Sequence, residues 1–426
     1  SMAMAALQPS WPVSLRVLLL TTWSCRLFSW EGGGGGGGGG GGEGVGWAEC
    51  ASVPTSPSLS VPIQTREKVE QDTRLWALRL RKAHAIITPP GTPTPSPRQA
   101  GAPLPPCNAT VGVGKNATYT SIQGAISQIP SSRGTRRWVI CVTDGTYREK
   151  VKLRSSCTYV TLVGVSRDPT KVVVSWDDTA GSPSPTATGV GSTTSPSTLG
   201  TFDSYTFAAE ASYFTAMYIT FSNTAPRPND GSEGGQAVAV RASANYMSFY
   251  HCSFLGFQDT LYAHQGTLYF RNCYIRGSVD FIFGNATAWF YDCSLYANVA
   301  SKGYLTAQNR GSPTERSGFA FYKGSVRGTG VVYLGRAWGI ASRVVFYEVF
   351  LDSIVAPEGW DSWGKSTDAI FYAEYNCMGP GSATAGRVNW SIKLTAEEAR
   401  IFGSCDFIDA KKWQDQTGLP SSARAC

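Results

Sequence analysis

Apolar and polar positions in residues 249–295 follow a repeat of about twenty residues. The segment FYHCSF at 249–254 is followed by FRNCYI at 270–275 and by FYDCSL at 290–295. Each copy combines aromatic residues with one cysteine, and these cysteines lie 21 and 20 residues apart. A fixed period in this range indicates a solenoid, in which each repeat stacks on the one before it.

Weaker copies of the same pattern begin at Tyr218, Phe321, Phe346 and Phe371. Short strands rich in β-branched and aromatic residues therefore recur every 20–30 residues, with turn residues between them. The strands of a β-sandwich come every 8–12 residues, so the longer interval favours an all-β parallel β-helix.

Short helices are expected to cap the two ends of this solenoid. Residues 119–126 predict a helix that ends before Pro130 and covers the first coil. Residues 394–400 predict a second helix that closes the far end, with Thr395 as its N-cap and acidic residues in its first turn.

Composition divides the chain into three parts. Residues 1–30 contain a short apolar run after an arginine, which is the pattern of a signal peptide. Residues 31–106 form a Gly/Pro-rich low-complexity segment with one helical stretch at 66–87. Residues 107–426 are expected to form the β-helix domain.

Charge and residue counts exclude several classes of function. The net charge of the 426-residue chain is +7, and no Lys/Arg run with interleaved aromatics is present, which argues against nucleic acid as a partner. The chain has 11 cysteines without a C-x-x-C pair, and Cys252, Cys273 and Cys293, which stack singly at the coil interval, fit an internal row of thiols better than a zinc site. Regular stacking does not reveal whether neighbouring cysteines form disulfides.

Three residues separated by 23 and 21 positions carry the candidate chemistry: Gln236, Asp259 and Asp280. Residues one repeat apart lie on adjacent coils, roughly 4.8 Å apart across a parallel sheet. Two carboxyl groups at that separation do not both ionise easily, so one is expected to act as an acid and the other as a base or nucleophile. The alternative is a solvated polar ladder, but aromatic and aliphatic residues flank both aspartates.

Histidine chemistry is not expected at this site. Within the solenoid the sequence has His251, which lies in a repeat and is expected to pack there, and His264, which is expected to face solvent in a turn. A Ser-His-Asp triad is disfavoured because no Gly-x-Ser-x-Gly motif is present.

Five ordered segments between residues 107 and 420 resemble the signature blocks of plant pectin methylesterases, a carbohydrate esterase family. They are DGTYRE at 144–149, QAVAVR at 236–241, GFQDTLY at 256–262, GSVDFIFGNA at 277–286 and LGRAW at 334–338. The resemblance implies a right-handed parallel β-helix that hydrolyses the C6 methyl esters of homogalacturonan without a metal or other cofactor.

The resemblance also implies a role for each polar residue. Asp280 is the expected nucleophile, and Asp259 the expected acid that protonates methanol and then the base that activates water. Gln236 and Gln258 are expected to donate hydrogen bonds to the oxyanion, and Arg336 to hold Asp280 ionised. The expected walls of the sugar-binding cleft, for whose aromatic members a position in the core is the alternative, are Tyr262, Phe283, Trp338, Trp360, Thr201 and Phe202.

Further expectations concern partners and location. Residues 1–106 are too short and too rich in glycine and proline for the inhibitor-like pro-region of many plant relatives, so we expect the form without it. The expected protein is a secreted, monomeric cell-wall enzyme whose partner is pectin, and a proteinaceous pectin methylesterase inhibitor is a second expected partner. Among the sequons, Asn108 and Asn116 are better glycosylation candidates than Asn285, which is expected to be buried.

Two other functions remain open on the sequence. A glycosidase on the same solenoid would also use an aspartate pair, and an inverting one needs roughly 6.5–9.5 Å between its carboxyl groups. A pectin-binding solenoid would have no catalytic activity. Release of methanol without shortening of the polysaccharide distinguishes the esterase from both.

Overall fold

The computed structural model describes residues 104–114, 116–184, 197–228 and 234–426. The predicted signal peptide at 1–30 and nearly all of the low-complexity segment at 31–106 lie outside these ranges. No helix in the described ranges is long and apolar enough to cross a membrane.

Short strands dominate the described chain, and the helices are few. The strands are β1 Ala109–Val111, β2 Trp138–Val142, β3 Gly145–Arg148, β4 Val151–Leu153, β5 Val160–Gly164, β6 Val172–Trp176, β7 Phe207–Ala209, β8 Thr215–Met217, β9 Thr220–Asn223, β10 Val240–Ser243, β11 Met247–Tyr250, β12 Ser253–Leu255, β13 Leu261–Gln265, β14 Thr267–Arg271, β15 Tyr274–Gly277, β16 Ile282–Gly284, β17 Thr287–Tyr291, β18 Ser294–Gln308, β19 Gly318–Tyr322, β20 Ser325–Ala337, β21 Arg343–Tyr347, β22 Phe350–Leu351, β23 Trp360–Asp361, β24 Phe371–Tyr375 and β25 Ile392–Lys393. The α-helices are α1 Ile122–Ser127, α2 Gly200–Asp203 and α3 Ala396–Ala399, and short 3-10 helices occur at Ser131–Arg133, Pro380–Ser382, Thr384–Gly386, Cys405–Ile408, Ala410–Lys412, Gln414–Gln416 and Ser421–Ala423.

The strands wind into a parallel β-helix, as the repeat predicted. One sheet of 11 strands runs in the order β1-β2-β5-β8-β11-β14-β17-β19-β21-β24-β25. The other has 14 strands, which are two rows of five, β3-β6-β9-β12-β15 and β4-β7-β10-β13-β16, together with β18, β20, β22 and β23. The long strand β18 joins these rows because it pairs with both β15 and β16. Each regular coil contributes three short strands, whereas β18 and β20 each run through both rows, and all named pairs are parallel.

Left-handed backbone conformations turn the chain between neighbouring strands. The residue just before each cysteine of the repeat has a positive φ, as His251, Asn272 and Asp292 do at 49°, 53° and 52°. Asn, Asp and His enter this region more readily than other residues with a side chain. The polar residue in each repeat therefore marks a corner of the coil.

The interior of the coils holds a continuous aromatic stack. Phe249, Phe270, Phe290, Phe321 and Phe346 follow one another with ring centroids 4.5–4.9 Å apart. Each of these side chains is almost fully buried, and burying one phenylalanine stabilises the fold by about 1.5–3 kcal/mol. The stack confirms the repeat read from the sequence.

The last copy of the repeat was assigned in the wrong register. Phe346 pairs across the sheet with Glu374, and Phe371 pairs with Arg343. The true interval is therefore 28 residues rather than 25, because the connection between β21 and β24 is longer than a regular coil.

The cysteine row is also confirmed as an internal feature. Cys252, Cys273 and Cys293 are buried free thiols beside the phenylalanine stack. Two disulfides join other cysteines in the described residues, Cys107 to Cys141 and Cys405 to Cys426.

Helix α1 covers the first coil with its buried residues Ile122, Ala125 and Ile126. Ser121 caps the helix by accepting a hydrogen bond from Gly124 N. The carboxylate of Glu149 accepts hydrogen bonds from Ile122 N and Gln123 N, at 2.8 and 2.9 Å. The DGTYRE segment therefore contributes to the end cap through Glu149.

Helix α3 begins at the predicted cap, because Thr395 and Glu398 form a capping box. The chain after it has a role that the sequence did not predict. Trp413 and Phe402 belong to an apolar cluster on the outer side of the 11-stranded sheet, together with Met217, Tyr269 and Trp289. The C-terminal segment thus covers that sheet and leaves the second sheet to form the functional groove.

Candidate active site

Asp259 and Asp280 both lie at the corner that precedes a strand of the β13 and β16 row. Their φ angles are 63° and 49°, in the left-handed region. The register pairs Leu261 with Ile282, so the two aspartates occupy equivalent positions on adjacent coils. Asp259 N donates to Val279 O at 3.1 Å, which ties the two corners together. The predicted adjacency of the carboxyl groups on one face is therefore present.

Gly277 allows the coils to approach closely just before Asp280. A Cβ at this position would lie 2.6 Å from Phe257 O and 2.0 Å from the Cβ of Phe281. Because one of these neighbours is backbone, it cannot move aside cheaply. The glycine of the GSVDF segment is thus required by the stacking of the two corners.

Arg336 reaches Asp280 from the second coil beyond it. The register runs from Phe283 to Ala307 and from Ala307 to Arg336. The intervening alanine has a short side chain, which leaves space for the guanidinium to extend towards Asp280. Arg336 Nε donates to Asp280 Oδ1 at 2.8 Å, and Nη2 donates to Oδ2 at 2.5 Å. This is a two-bond fork between a guanidinium and a carboxylate.

Their surroundings give the carboxyl groups of Asp259 and Asp280 different pKa values. Burial raises the pKa of Asp259 well above its usual value, and the nearby charge of Asp280 raises it further. Burial also raises the pKa of Asp280, but the hydrogen bonds and charge of Arg336 oppose this effect. Asp259 is therefore the more readily protonated member of the pair, and Asp280 is the member that Arg336 favours as a carboxylate.

Two amide side chains complete the polar part of the site. Gln236 and Gln258 are both half-buried, and their backbones are fixed by hydrogen bonds to Ala180 N and Ala237 N. Gln236 is not in register with the aspartates, because Val240 pairs with Leu261 and so places Val238 opposite Asp259. It nevertheless faces the same cavity.

The polar residues and the aromatic walls surround a cavity of about 390 Å³. Nine of the eleven predicted site residues line it, and Ala307 and Trp363 join them. The lining residues are Thr201, Gln236, Gln258, Asp259, Tyr262, Asp280, Phe283, Ala307, Arg336, Trp338 and Trp363.

The apolar wall is formed by rings in contact. Tyr262 stacks on Phe283 with ring centroids 4.2 Å apart, and Trp338 lies 6.1 Å from Phe283. Phe202 lies beside the cavity, 42% exposed, with its edge towards Tyr262 at 6.4 Å. The buried guanidinium of Arg241 lies 3.6 Å from the Phe202 ring and pairs with Glu210.

Trp360 does not line the cavity, so that prediction was wrong. It is 1% exposed and stacks on Tyr372 with centroids 4.5 Å apart, inside the coil. The cleft residue is Trp363, three positions later, which is 43% exposed. Trp360 belongs to strand β23 and faces inwards, whereas Trp363 follows the turn after that strand. The second tryptophan of GWDSW was the signal that the sequence analysis missed.

His264 also differs from its prediction as a solvent-facing turn residue. It lies in β13, where Nδ1 is 3.1 Å from Ser243 Oγ and the ring contacts Phe202 and Tyr262 edge-on. Burial lowers its pKa, and the charge of Arg241 lowers it further. The prediction for His251 is confirmed, because its ring stacks on Tyr218.

Comparison with known proteins gives one consistent result. The family model described as Pectinesterase matches residues 108–411. Pectinesterase QRT1 of Arabidopsis thaliana is 38% identical over 295 residues, which cover 69% of this chain and 75% of the relative. Pectinesterase 31 of the same plant is 40% identical over 301 residues, which cover 69% of this chain and 90% of the relative.

A solved structure agrees with these matches. The pectin methylesterase from carrot superposes with a TM-score of 0.66 at 31% sequence identity. The superposition covers 76% of this chain and 99% of the carrot protein.

Proposed function

This chain belongs to the pectinesterase family and is a carboxylic ester hydrolase, and on that premise we propose that Asp280 is the nucleophile that cleaves the C6 methyl esters of homogalacturonan. The observation that carries the assignment is the fork of Arg336 on Asp280, with Asp259 at the equivalent position of the adjacent coil. This arrangement supports one ionised and one protonated carboxyl group at the same cavity.

In the first step, a carboxylate oxygen of Asp280 attacks the carbonyl carbon of the ester. The carbonyl oxygen becomes an oxyanion, and the amides of Gln236 and Gln258 donate hydrogen bonds to it. Asp259 transfers its proton to the methoxy oxygen, so that the C–O bond breaks and methanol leaves. The galacturonyl group remains attached to Asp280 as an anhydride.

In the second step, Asp259 is a carboxylate and takes a proton from a water molecule. The resulting hydroxide attacks the galacturonyl carbonyl carbon, and the same amides stabilise the second oxyanion. The bond to Asp280 breaks, Asp280 leaves as a carboxylate, Asp259 keeps the proton from water, and pectin leaves with a carboxylic acid group that then ionises in the solvent. One water is consumed, and one methanol and one carboxylic acid group are formed.

The aromatic wall supports a carbohydrate substrate. Tyr262, Phe283 and Trp338 present ring surfaces beside the carboxyl groups. Such rings pack against the apolar faces of sugars, while the polar residues contact the ester. The cleft assigned to the polysaccharide therefore follows the row of strands that contains β13 and β16.

We also assign the protein to the outside of the cell, at the wall where its substrate lies. The disulfides Cys107–Cys141 and Cys405–Cys426 support this location, because structural disulfides persist in oxidising compartments. Asn108 and Asn116 are exposed and so accessible to glycosylation. A cell-fractionation experiment with endoglycosidase treatment tests both points. Recovery of the protein in the cytosol without glycan would contradict them.

The catalytic assignment is tested by measuring methanol and new reducing ends from highly esterified pectin. We expect wild-type protein to release methanol without new reducing ends, and Asp280→Asn to release none while keeping its fold. Asp292→Asn is the matched control, because Asp292 has a similar φ of 52° at an exposed corner away from the cavity. Chain shortening by the wild type would indicate a glycosidase, and turnover by Asp280→Asn would exclude the nucleophile.

A further inference from the structure

Two aromatic rings lie against the guanidinium of Arg336. The ring of Trp363 is 3.7 Å from its central carbon, and the ring of Tyr304 is 4.5 Å from it. Tyr304 belongs to β18, and Trp363 follows β23, so the rings come from separate parts of the chain. A guanidinium is attracted to the face of an aromatic ring at such distances, because the ring face carries partial negative charge. These contacts restrict a side chain that otherwise has many rotamers.

Asp361 connects the two rings. Its Oδ2 accepts a hydrogen bond from the Tyr304 hydroxyl at 2.9 Å, and its Oδ1 accepts one from Trp363 N at 2.7 Å. The second contact fixes the turn at Trp363, whose φ of 52° is uncommon for a residue with a bulky side chain. Asp361 therefore determines where both rings lie.

Asp361 is also the cross-strand neighbour of Arg336 in the next coil. Among the ion pairs of the described residues, Arg336 nevertheless pairs with Asp280. The oxygens of Asp361 are directed to the tyrosine and to the turn, which leaves the guanidinium fork for Asp280. Asp361 thus accepts hydrogen bonds from the Tyr304 hydroxyl and from the backbone N–H of Trp363, while Arg336 donates to Asp280.

We propose that Asp361 is a positioning residue for the reaction, which holds Tyr304 and Trp363 against Arg336 so that the guanidinium stays aligned with Asp280. The inference rests on the proposed role of Asp280 and goes beyond it, because neither Asp361 nor Tyr304 lines the cavity. A preorganised guanidinium stabilises the attacking carboxylate without reorganisation during the reaction.

The charge of Asp361 and its effect on the position of Arg336 act in opposite directions on the pKa of Asp280. This difference makes the proposal testable. The groups that face Asp280 and Asp361 are Asp259, Arg336, Tyr304 and the buried Tyr372, and the ammonium of Lys302 lies 5.3 Å from the Tyr304 ring. The negative charge of Asp361 raises the pKa of Asp280, so its removal alone would lower that pKa. Loss of Arg336 alignment would raise the same pKa, because Arg336 favours the ionised form.

The decisive variant is Tyr304→Phe, which keeps the ring and the charge of Asp361 but removes the hydroxyl. We expect kcat to fall about 10- to 100-fold with little change in KM, as for loss of a hydrogen bond to a charged group. The acidic limb of the kcat/KM profile should move to higher pH. Tyr296→Phe on the same strand is the control and should change neither quantity.

Two variants of Asp361 separate position from charge. Asp361→Ala removes both acceptors, so kcat should fall and the acidic limb should move to higher pH despite the lost charge. Asp361→Asn retains a carbonyl acceptor, so it should recover part of the rate and show no upward movement of the limb. If Asp361→Ala does not fold, Tyr304→Phe and Asp361→Asn still decide the proposal.

Unchanged kcat and an unchanged limb in Tyr304→Phe, with a lower melting temperature, would overturn the proposal and leave a purely structural hydrogen bond. Failure of the proposed function itself is recognised separately. If Asp280 is not the nucleophile, Asp280→Asn remains active. If only the positioning role of Asp361 is wrong, Asp280→Asn is inactive and Tyr304→Phe reacts at the wild-type rate.

Discussion

Asp259 and Asp280 are equivalent residues of adjacent coils, 21 positions apart, yet it is Asp280 that receives the guanidinium fork of Arg336. One ion pair thereby distinguishes two residues that the repeat makes alike. The difference in acidity between them follows from this contact, and the proposed division of roles in the reaction rests on it.

Replacement of Arg336 is expected to slow the reaction and to shift its pH dependence. In Arg336→Ala, Asp280 loses two charge-assisted hydrogen bonds, and kcat/KM should fall about 10- to 100-fold or more. The pKa of Asp280 should rise, so the acidic limb of the kcat/KM profile should move to higher pH. Arg327→Ala is the control, because Arg327 pairs loosely with Asp352 at 3.8 Å away from the cavity. A limb that does not move in Arg336→Ala would contradict the assigned role.

Removal of the Asp259 carboxyl group is expected to lower kcat and to raise the free energy of unfolding near neutral pH. Asp259→Asn cannot donate or accept the transferred proton, so kcat should fall about 10²- to 10⁴-fold. Because the folded protein raises the pKa of Asp259 above its unfolded value, the stability that this group contributes is present below about pH 4 and is lost as pH rises through the folded pKa.

Chemical denaturation at a series of pH values measures that effect. The free energy of unfolding of Asp259→Asn should exceed that of the wild type near neutral pH, and the excess should shrink as the pH falls towards 4. A gain that is the same at every pH would mean that ionisation of Asp259 is not its source.

The two amides are expected to act on the transition state. Gln236→Ala and Gln258→Ala should each reduce kcat about 10²- to 10³-fold, with a smaller change in KM, if each donates to the oxyanion. Gln265→Ala is a suitable control, since Gln265 is exposed at the end of the same strand row. A rise in KM with an unchanged kcat would instead indicate a role in substrate binding.

Replacement of Trp360 is expected to lower stability, whereas replacement of Trp363 is expected to lower kcat/KM. Trp360→Ala empties a buried site beside Tyr372 and Phe346, so the free energy of unfolding should fall by about 3–5 kcal/mol. Trp363→Ala should reduce kcat/KM about tenfold through lost ring contacts, with little change in stability. Steady-state kinetics and chemical denaturation on the same preparations check both. A comparable loss of stability in the two variants would be inconsistent with an exposed Trp363.

The buried cysteine row, Cys252, Cys273 and Cys293, is expected to resist alkylation in the folded protein. Burial raises the pKa of Cys252 to about 12, and Cys273 is raised well above its usual value for the same reason. Peptides that contain Cys252, Cys273 and Cys293 should therefore remain unmodified by iodoacetamide in the native protein and become modified in guanidinium chloride. Modification of these peptides without denaturant would show that the coils open locally.

The interval of 20 or 21 residues was sufficient to predict the coil and the neighbouring aspartates. It succeeded there because β10 to β17 form regular coils, in which sequence distance translates directly into register. It failed at Phe371, where a long connection precedes β24 and the interval no longer measures one turn. Period alone therefore predicts register only where the loops between coils keep their length.

The sequence predicted the spacing of the coils better than it predicted whether a given side chain points into the coil or out of it. Trp360 and Trp363 are three residues apart, and the sequence does not show which of them lies inside the coil. The turn after Asp361 decides this, because it carries the chain out of the strand before Trp363. His264 was misplaced for a related reason, since β13 extends as far as Gln265 and places the imidazole against Phe202 and Tyr262.

By itself, the sequence determined the parallel solenoid and the placement of Asp259 and Asp280 at equivalent positions of adjacent coils. These features follow from local repetition, in which each coil repeats the backbone of the one before it. The contact of Arg336 with Asp280 was expected from the resemblance, but the tertiary structure alone decided that it passes over Ala307 from the second coil beyond, and that Asp361 contacts the residues of both rings beside Arg336. Such contacts join side chains from different coils, and their geometry depends on side-chain length and direction, which a repeat interval does not encode.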